Sequence, residues 1–258
     1  MPIQIIGTNR LYRQIAEQLS ALIASGEFAE GARLPSEREL AAQLGVSRPS
    51  VREALIALEL AGKVAVRVGA GVFVTARRPT VVADPTSEGH GPFELLRARR
   101  LVEGEIAMEA ALHAIPEDLV VVRAAVAEMQ RLQRQQRNAD VADRDFHLGV
   151  AKATHNSALV SVVRNLWDQG RGAIWKRMER HFQTPEMRAA ALGEHRAILT
   201  ALEGRDGSGA RAAMRGHLER VDREFERGWD LLKERAQANP REGAASAGRA
   251  SKRRARVG

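Results

Sequence analysis

The sequence predicts a mainly α protein: a head of three helices closed by a β-hairpin, followed by an all-α antiparallel bundle of six to seven helices. Three observations carry this. The stretch LPSERELAAQLGVSRPSVREALIALELAG, Leu34 to Gly62, holds two helix starts separated by a glycine turn. Directly after it, alternating valines flank a Gly69-Ala70-Gly71 turn. From Phe93 to about Ala236, apolar residues recur at helical spacing and are punctuated by Pro, Asn and Gly.

The first helix is expected from about Asn9 to Ser25, with Leu11, Ile15, Leu22 and Ile23 on its inner face and Gly26 at its end. Gly31 to Pro35 should be extended, because the residue before a proline avoids the helical region. Ser36 followed by Glu39 forms a capping box, which starts a second helix over Glu37 to Leu44, and Gly45 can end it by taking a positive φ. Ser47 caps the third helix, with Pro49 in the first turn, where its missing amide costs little. Val51, Ala54, Leu55 and Leu58 then form one buried stripe, while Arg48 and Arg52 share a different face. Val64, Val66 and Val68, the glycine turn, and Val72 to Thr75 read as a hairpin.

Two helices joined by a short turn, the second showing guanidinium groups from its first turns, make a helix-turn-helix; the hairpin makes it winged. Such a helix lies in the major groove, where arginine takes O6 and N7 of guanine. Ser47 to Arg52, with Ser50 among them, are therefore placed at double-stranded DNA, and two-fold pairing of such heads requires a palindromic operator.

With 258 residues the chain can hold two domains, each burying its own core. It has no cysteine, which excludes disulfides and thiolate metal sites. No apolar run approaches a membrane span and the N-terminus lacks a signal-peptide core, so a soluble cytoplasmic protein is expected. The net charge of +8 sits at the ends. Residues 1 to 78 hold 10 basic and 7 acidic side chains, residues 237 to 258 hold 6 and 1, and the middle, with 24 of each, is no polyanion binder.

These features divide the chain into a DNA-binding domain over 1–78, a linker over 79–92, an all-helical domain over 93–236, and a disordered basic tail over 237–258. Bundle helices are expected at about 93–113, 117–136, 140–153, 157–182, 186–204 and 208–236. Short loops between them imply antiparallel neighbours.

The run LPSERELAAQLGVSRPSVREALIALELAGKV with VRVGAGVFV resembles the GntR family of bacterial transcription regulators. The stretches LLRARRLVEGEIAMEAA, DRDFHLGVAKATHN and EHRAILTALEGRDGSGARAAMRGHL resemble its FadR-type effector domain, the FCD domain. The resemblance implies Arg38, Arg48 and Arg52 as base and phosphate readers and Gly69 as the wing contact.

Asp143 and His147 stand four apart on one helix, and so project from the same face. His195 lies with Leu192, Leu199 and Leu202 on an inward stripe, and His217 lies beside Met214, Leu218, Val221 and Phe225. Three imidazoles and a carboxylate facing a bundle interior can be satisfied by a divalent metal or by ordinary core hydrogen bonds. The resemblance favours the metal, because the matching positions are ligands in the FadR-type family. Such ligands suit zinc, nickel or manganese, with cobalt and iron also compatible. The same resemblance makes Arg99 the expected partner of a small carboxylate or sugar-acid effector; an ion pair with Glu103, four residues on, is its plainer role.

The expected function is a homodimeric regulator, a repressor by the family's commoner behaviour, and not an enzyme. A metal-dependent hydrolase fused to a DNA-binding module and a non-specific architectural DNA binder are the alternatives.

Overall fold

The computed structural model describes residues 11–67, 70–75, 90–169, 175–176 and 184–234, with side chains to residue 227. It divides into two compact units, one over Met1–Pro85 with the stretch from Arg227 onward, the other over Thr86–Glu226. Val68 and Gly69, most of the expected linker and the basic tail lie outside the described residues.

In the first unit, α1 (Leu11–Ala24) packs on α3 (Arg48–Leu60), and α2 (Glu37–Leu44) closes the helix-turn-helix. The inner face of α1 is Tyr12, Ile15, Ala16 and Leu19; Leu11, expected inside, is 46% exposed, and Leu22 and Ile23 are half-buried. The apolar stripe of α1 is thus rotated by about one residue from the expected one. The capping box is present: Glu39 N donates to Ser36 Oγ at 3.3 Å and Ser36 N to Glu39 Oε2 at 2.7 Å. Gly45 ends α2 at φ 65°, a conformation that suits glycine. Ser47 caps α3, accepting from Ser50 N. All four predicted stripe residues of α3 are buried.

The wing is an antiparallel pair, β1 (Val64–Arg67) with β2 (Gly71–Val74), in the register Val64 to Val74 and Arg67 to Gly71. The extended segment before Pro35 joins it, since Leu34 N donates to Val72 O and Val74 N to Ala32 O. A Cβ at Gly71, where φ is 110°, would stand 2.8 Å from Arg33 Nε, so the turn needs glycine there.

The second unit is a helical bundle: α4 (Pro92–His113), α5 (Pro116–Arg134), α6 (Asp140–Lys152), α7 (Ser157–Gln169), α8 (Pro185–Glu203) and α9 (Gly207–Glu234). The expected helix over 157–182 is described to Gln169 and at 175–176. Helix α5 packs on α6 and α8, and α4 on α6, α7 and α8. The core between them is built from Ile106, Ala107, Ala110, Val122, Phe146, Val150, Ile198 and Leu202. No helix among the described residues is long and apolar enough to cross a membrane.

Candidate functional site

Three bundle helices converge four potential ligands. Asp143 and His147 lie one turn apart on α6, His195 on α8 and His217 on α9, and one donor atom from each falls within 4.8 Å of the others. The three imidazoles are buried, and Asp143 is half-buried. Nε2 of His195 stands 3.1 Å and Nε2 of His147 3.7 Å from Asp143 Oδ1. Even so, Asp143 Oδ1, His147 Nε2 and His195 Nε2 make no hydrogen bond among the described residues. Polar atoms left so in a core are costly. Ligand atoms about 2.0–2.2 Å from one ion stand about 3 to 4 Å apart, so a cluster spread within 4.8 Å needs only a small inward shift of its side chains to close on a divalent metal.

Two carboxylates hold the imidazoles from behind. His147 Nδ1 donates to Glu103 Oε2 in a short hydrogen bond, and His217 Nδ1 donates to Glu194 Oε2 at 2.8 Å. Each of these carboxylates is gripped by an arginine. Arg99 Nε donates to Glu103 Oε1 at 2.6 Å, and Arg220 donates to both oxygens of Glu194. A carboxylate on Nδ1 sets the tautomer, leaving Nε2 with a lone pair facing the cluster.

The electrostatics agree. Burial lowers the His147 pKa, against the pull of Glu103. Burial, with His195 and His147 alongside, brings His217 down to about 3. Both rings are therefore neutral near pH 7, as ligands must be. Burial would raise Glu103, but Arg99 and His147 override it and hold that carboxyl at about 2. Asp143 is likewise held low by His195, His147 and His217 despite its burial.

Beside the cluster is a cavity of about 120 Å³ reached by Asp143, His195, His217 and Arg99, with Trp167, Trp175 and Phe225 in its walls. Arg99 is 5% exposed and its guanidinium stacks 4.0 Å from the Trp167 ring centre. Its Nη2 is buried with no hydrogen-bond partner among the described residues. The ion pair with Glu103 exists, but in the core and not on the surface.

Comparison with known proteins bears on both units. Residues 11–74 match the family described as bacterial regulatory proteins, gntR family, and residues 94–220 match the FCD domain. The Uxu operon transcriptional regulator of Escherichia coli (strain K12) is 39% identical over 219 residues, 82% of this chain and 85% of that protein. The chain belongs to the GntR family. The Exu regulon transcriptional regulator of the same organism is 38% identical over 221 residues, 84% of each chain. Among solved structures, the Streptococcus agalactiae GntR protein is similar at 25% identity and a TM-score of 0.45, covering 82% of this chain and 99% of that one.

As a GntR regulator the chain is a DNA-binding transcriptional regulator with an FCD domain. On its helix-turn-helix, Arg38, Ser47 and Arg48 are exposed. Ser50 is buried, its Oγ 2.8 Å from Ser47 Oγ. Arg52 corrects the expectation of a guanidinium on an open face: it is 2% exposed and donates to Glu37 Oε2 at 3.1 Å. Helix α3 is enclosed on more than its apolar stripe, so a position four residues after Arg48 falls against α2. Gly69 lies outside the described residues.

The GntR regulator's metal candidates come together as a cluster, but sequence reading missed Glu103, Glu194 and Arg220 as their supports. For Glu103 a signal existed. Leu96, Arg99, Glu103, Ile106 and Ala110 lie on one helical stripe, and two charges on an apolar stripe mean a buried pair. Glu194 carried no such mark, because its partner His217 is 23 residues away on another helix.

Proposed function

We propose that this GntR regulator is a homodimeric repressor whose operator affinity is set by a small carboxylate or sugar acid, bound at a divalent metal in the FCD domain. Asp143, His147, His195 and His217 hold the metal, and Glu103 and Glu194 orient His147 and His217. The metal, when bound, offers positive charge to an effector oxygen. Arg99 Nη2 takes the effector's carboxylate, while Arg99 Nε stays on Glu103. The observation carrying this reading is the set of buried, unsatisfied atoms of Asp143, His195 and Arg99 around one cavity, with that of His147 in the same ligand cluster.

At the other unit, Arg38 and Arg48 contact DNA, with Ser47 at the start of the recognition helix. Ser50 and Arg52 shape that helix's first turns, and Gly69 brings the wing to the backbone. The operator is palindromic because two heads meet it across a two-fold axis. Exposed Leu101, Leu112, Ile115, Val120 and Val121 on and between α4 and α5 support a partner surface on the bundle.

Fluorescence anisotropy on promoter fragments from the source genome tests this, with zinc, nickel or manganese and a panel of sugar acids. One fragment with a palindrome should bind, and one acid should weaken binding about 5- to 150-fold only in the metal-loaded protein, the usual range of coupling between sites. Equal binding to all fragments, or a response that survives metal removal, would overturn it.

A further inference from the structure

The cavity beside the ligand cluster extends away from it. Arg188, Ala191, Leu192 and His195 all line it, and their spacing along α8 places Arg188 two turns from His195, an axial rise of about 10 Å. From the other side Gln133, Arg137 and Asp140 line it, at the end of α5 and the start of α6. The cavity is thus lined by Asp143, His195, His217 and Arg99 of the cluster and, two turns from His195 along α8 and six residues before Asp143, by two more arginines.

The two pairs of arginines are in different situations. Arg99 and Arg220 are each committed to a glutamate. Arg188 is half-buried and Arg137 exposed, and neither makes a hydrogen bond or ion pair among the described residues. The nearby carboxylate, Asp140, has Oδ2 occupied by Asn138 Nδ2 at 2.7 Å.

We infer that the effector carries two anionic groups on a short chain, one at the metal and Arg99 and the second at Arg137 and Arg188, so that the site selects dicarboxylates over monocarboxylates. This rests on the metal-centred site proposed above and specifies its ligand class. Trp167, Trp175 and Phe225 line the same cavity and can flank the effector's chain, and Gln133 can meet a hydroxyl on it.

The test is calorimetric titration of the zinc-loaded full-length protein with matched pairs of acids: D-gluconate with D-glucarate, and butyrate with succinate. Each pair shares a carbon chain and differs in one terminal carboxylate. In at least one pair the diacid should bind about tenfold more tightly, the size of one charge-assisted hydrogen bond. The double variant R137Q/R188Q should remove that margin and leave the monoacid's affinity and the zinc content unchanged. Arg137 and Arg188 act on Glu128 and Glu186 only through their charge and make no hydrogen bond or ion pair among the described residues, so the variant should fold. Equal affinities within both pairs, or a margin that survives in the variant, overturns the inference and leaves the metal-centred site standing. If no acid binds, the inference falls, and zinc content compared between wild type and Asp143→Ala decides whether the metal site falls with it.

Discussion

Nη2 of Arg52 on α3 donates to Oε2 of Glu37 on α2 at 3.1 Å, and both side chains are buried. The contact joins the two helices of the helix-turn-helix, and Arg48, 4.0 Å from the same oxygen, stays exposed. Arg52→Ala should therefore destabilise the head by about 3–5 kcal/mol, since it leaves a carboxylate buried without that partner. Arg48→Ala should leave stability within about 0.5 kcal/mol and weaken DNA binding, lowering its salt dependence by about one phosphate contact. Chemical unfolding of both variants, with anisotropy on operator DNA, distinguishes the two. A fully stable Arg52→Ala protein with altered base preference would return Arg52 to the readers.

Glu194 orients His217 without reaching the ligand cluster itself. Glu194→Gln, which can still accept from Nδ1 but carries no charge, should lower metal affinity about 10- to 100-fold while the bundle stays folded. Competition with a coloured chelator measures it, and an unchanged affinity would remove Glu194 from the metal's support.

The metal-free protein should lose stability as pH falls below neutrality. His217 has a usual value of 6.5 and is held at about 3 in the fold, so between those values the unfolded chain binds the extra proton. Stability is full above about 6.5 and declines toward 3 as His217 must stay neutral in the fold. Glu103, held at about 2 against a usual 4.5, adds loss in the same direction at the acid end. Melting temperatures recorded from pH 7.5 to 4 should fall, and His217→Gln should flatten the slope between pH 6.5 and 4.5. Metal should raise the melting temperature at pH 7.5 in wild type and much less in His195→Ala.

Gly45 tests the head's turn. A Cβ there meets nothing within 4 Å, so Gly45→Ala is strained only through its backbone at φ 65°. A loss of about 1–2 kcal/mol is expected, with Gly45→Asn losing less because asparagine tolerates that conformation. Equal melting temperatures for all three would mean the turn relaxes out of the left-handed region.

By itself the sequence determined the features that depend on near neighbours in the chain. The capping box of Ser36 and Glu39, the left-handed Gly45, the Ser47 cap and the valine hairpin are all short-range, and each appears where local chemistry placed it. Helical periodicity likewise put Asp143, His147, His195 and His217 on inward faces, because an inward face is a property of one helix. Only the tertiary structure decided what those faces meet. It brought α6, α8 and α9 together so that four side chains surround one point, set Glu194 behind His217, and turned Arg52 inward onto Glu37. These outcomes depend on how helices distant in sequence are rotated against each other. That rotation is chosen by the packing of whole apolar surfaces, and no single segment carries it.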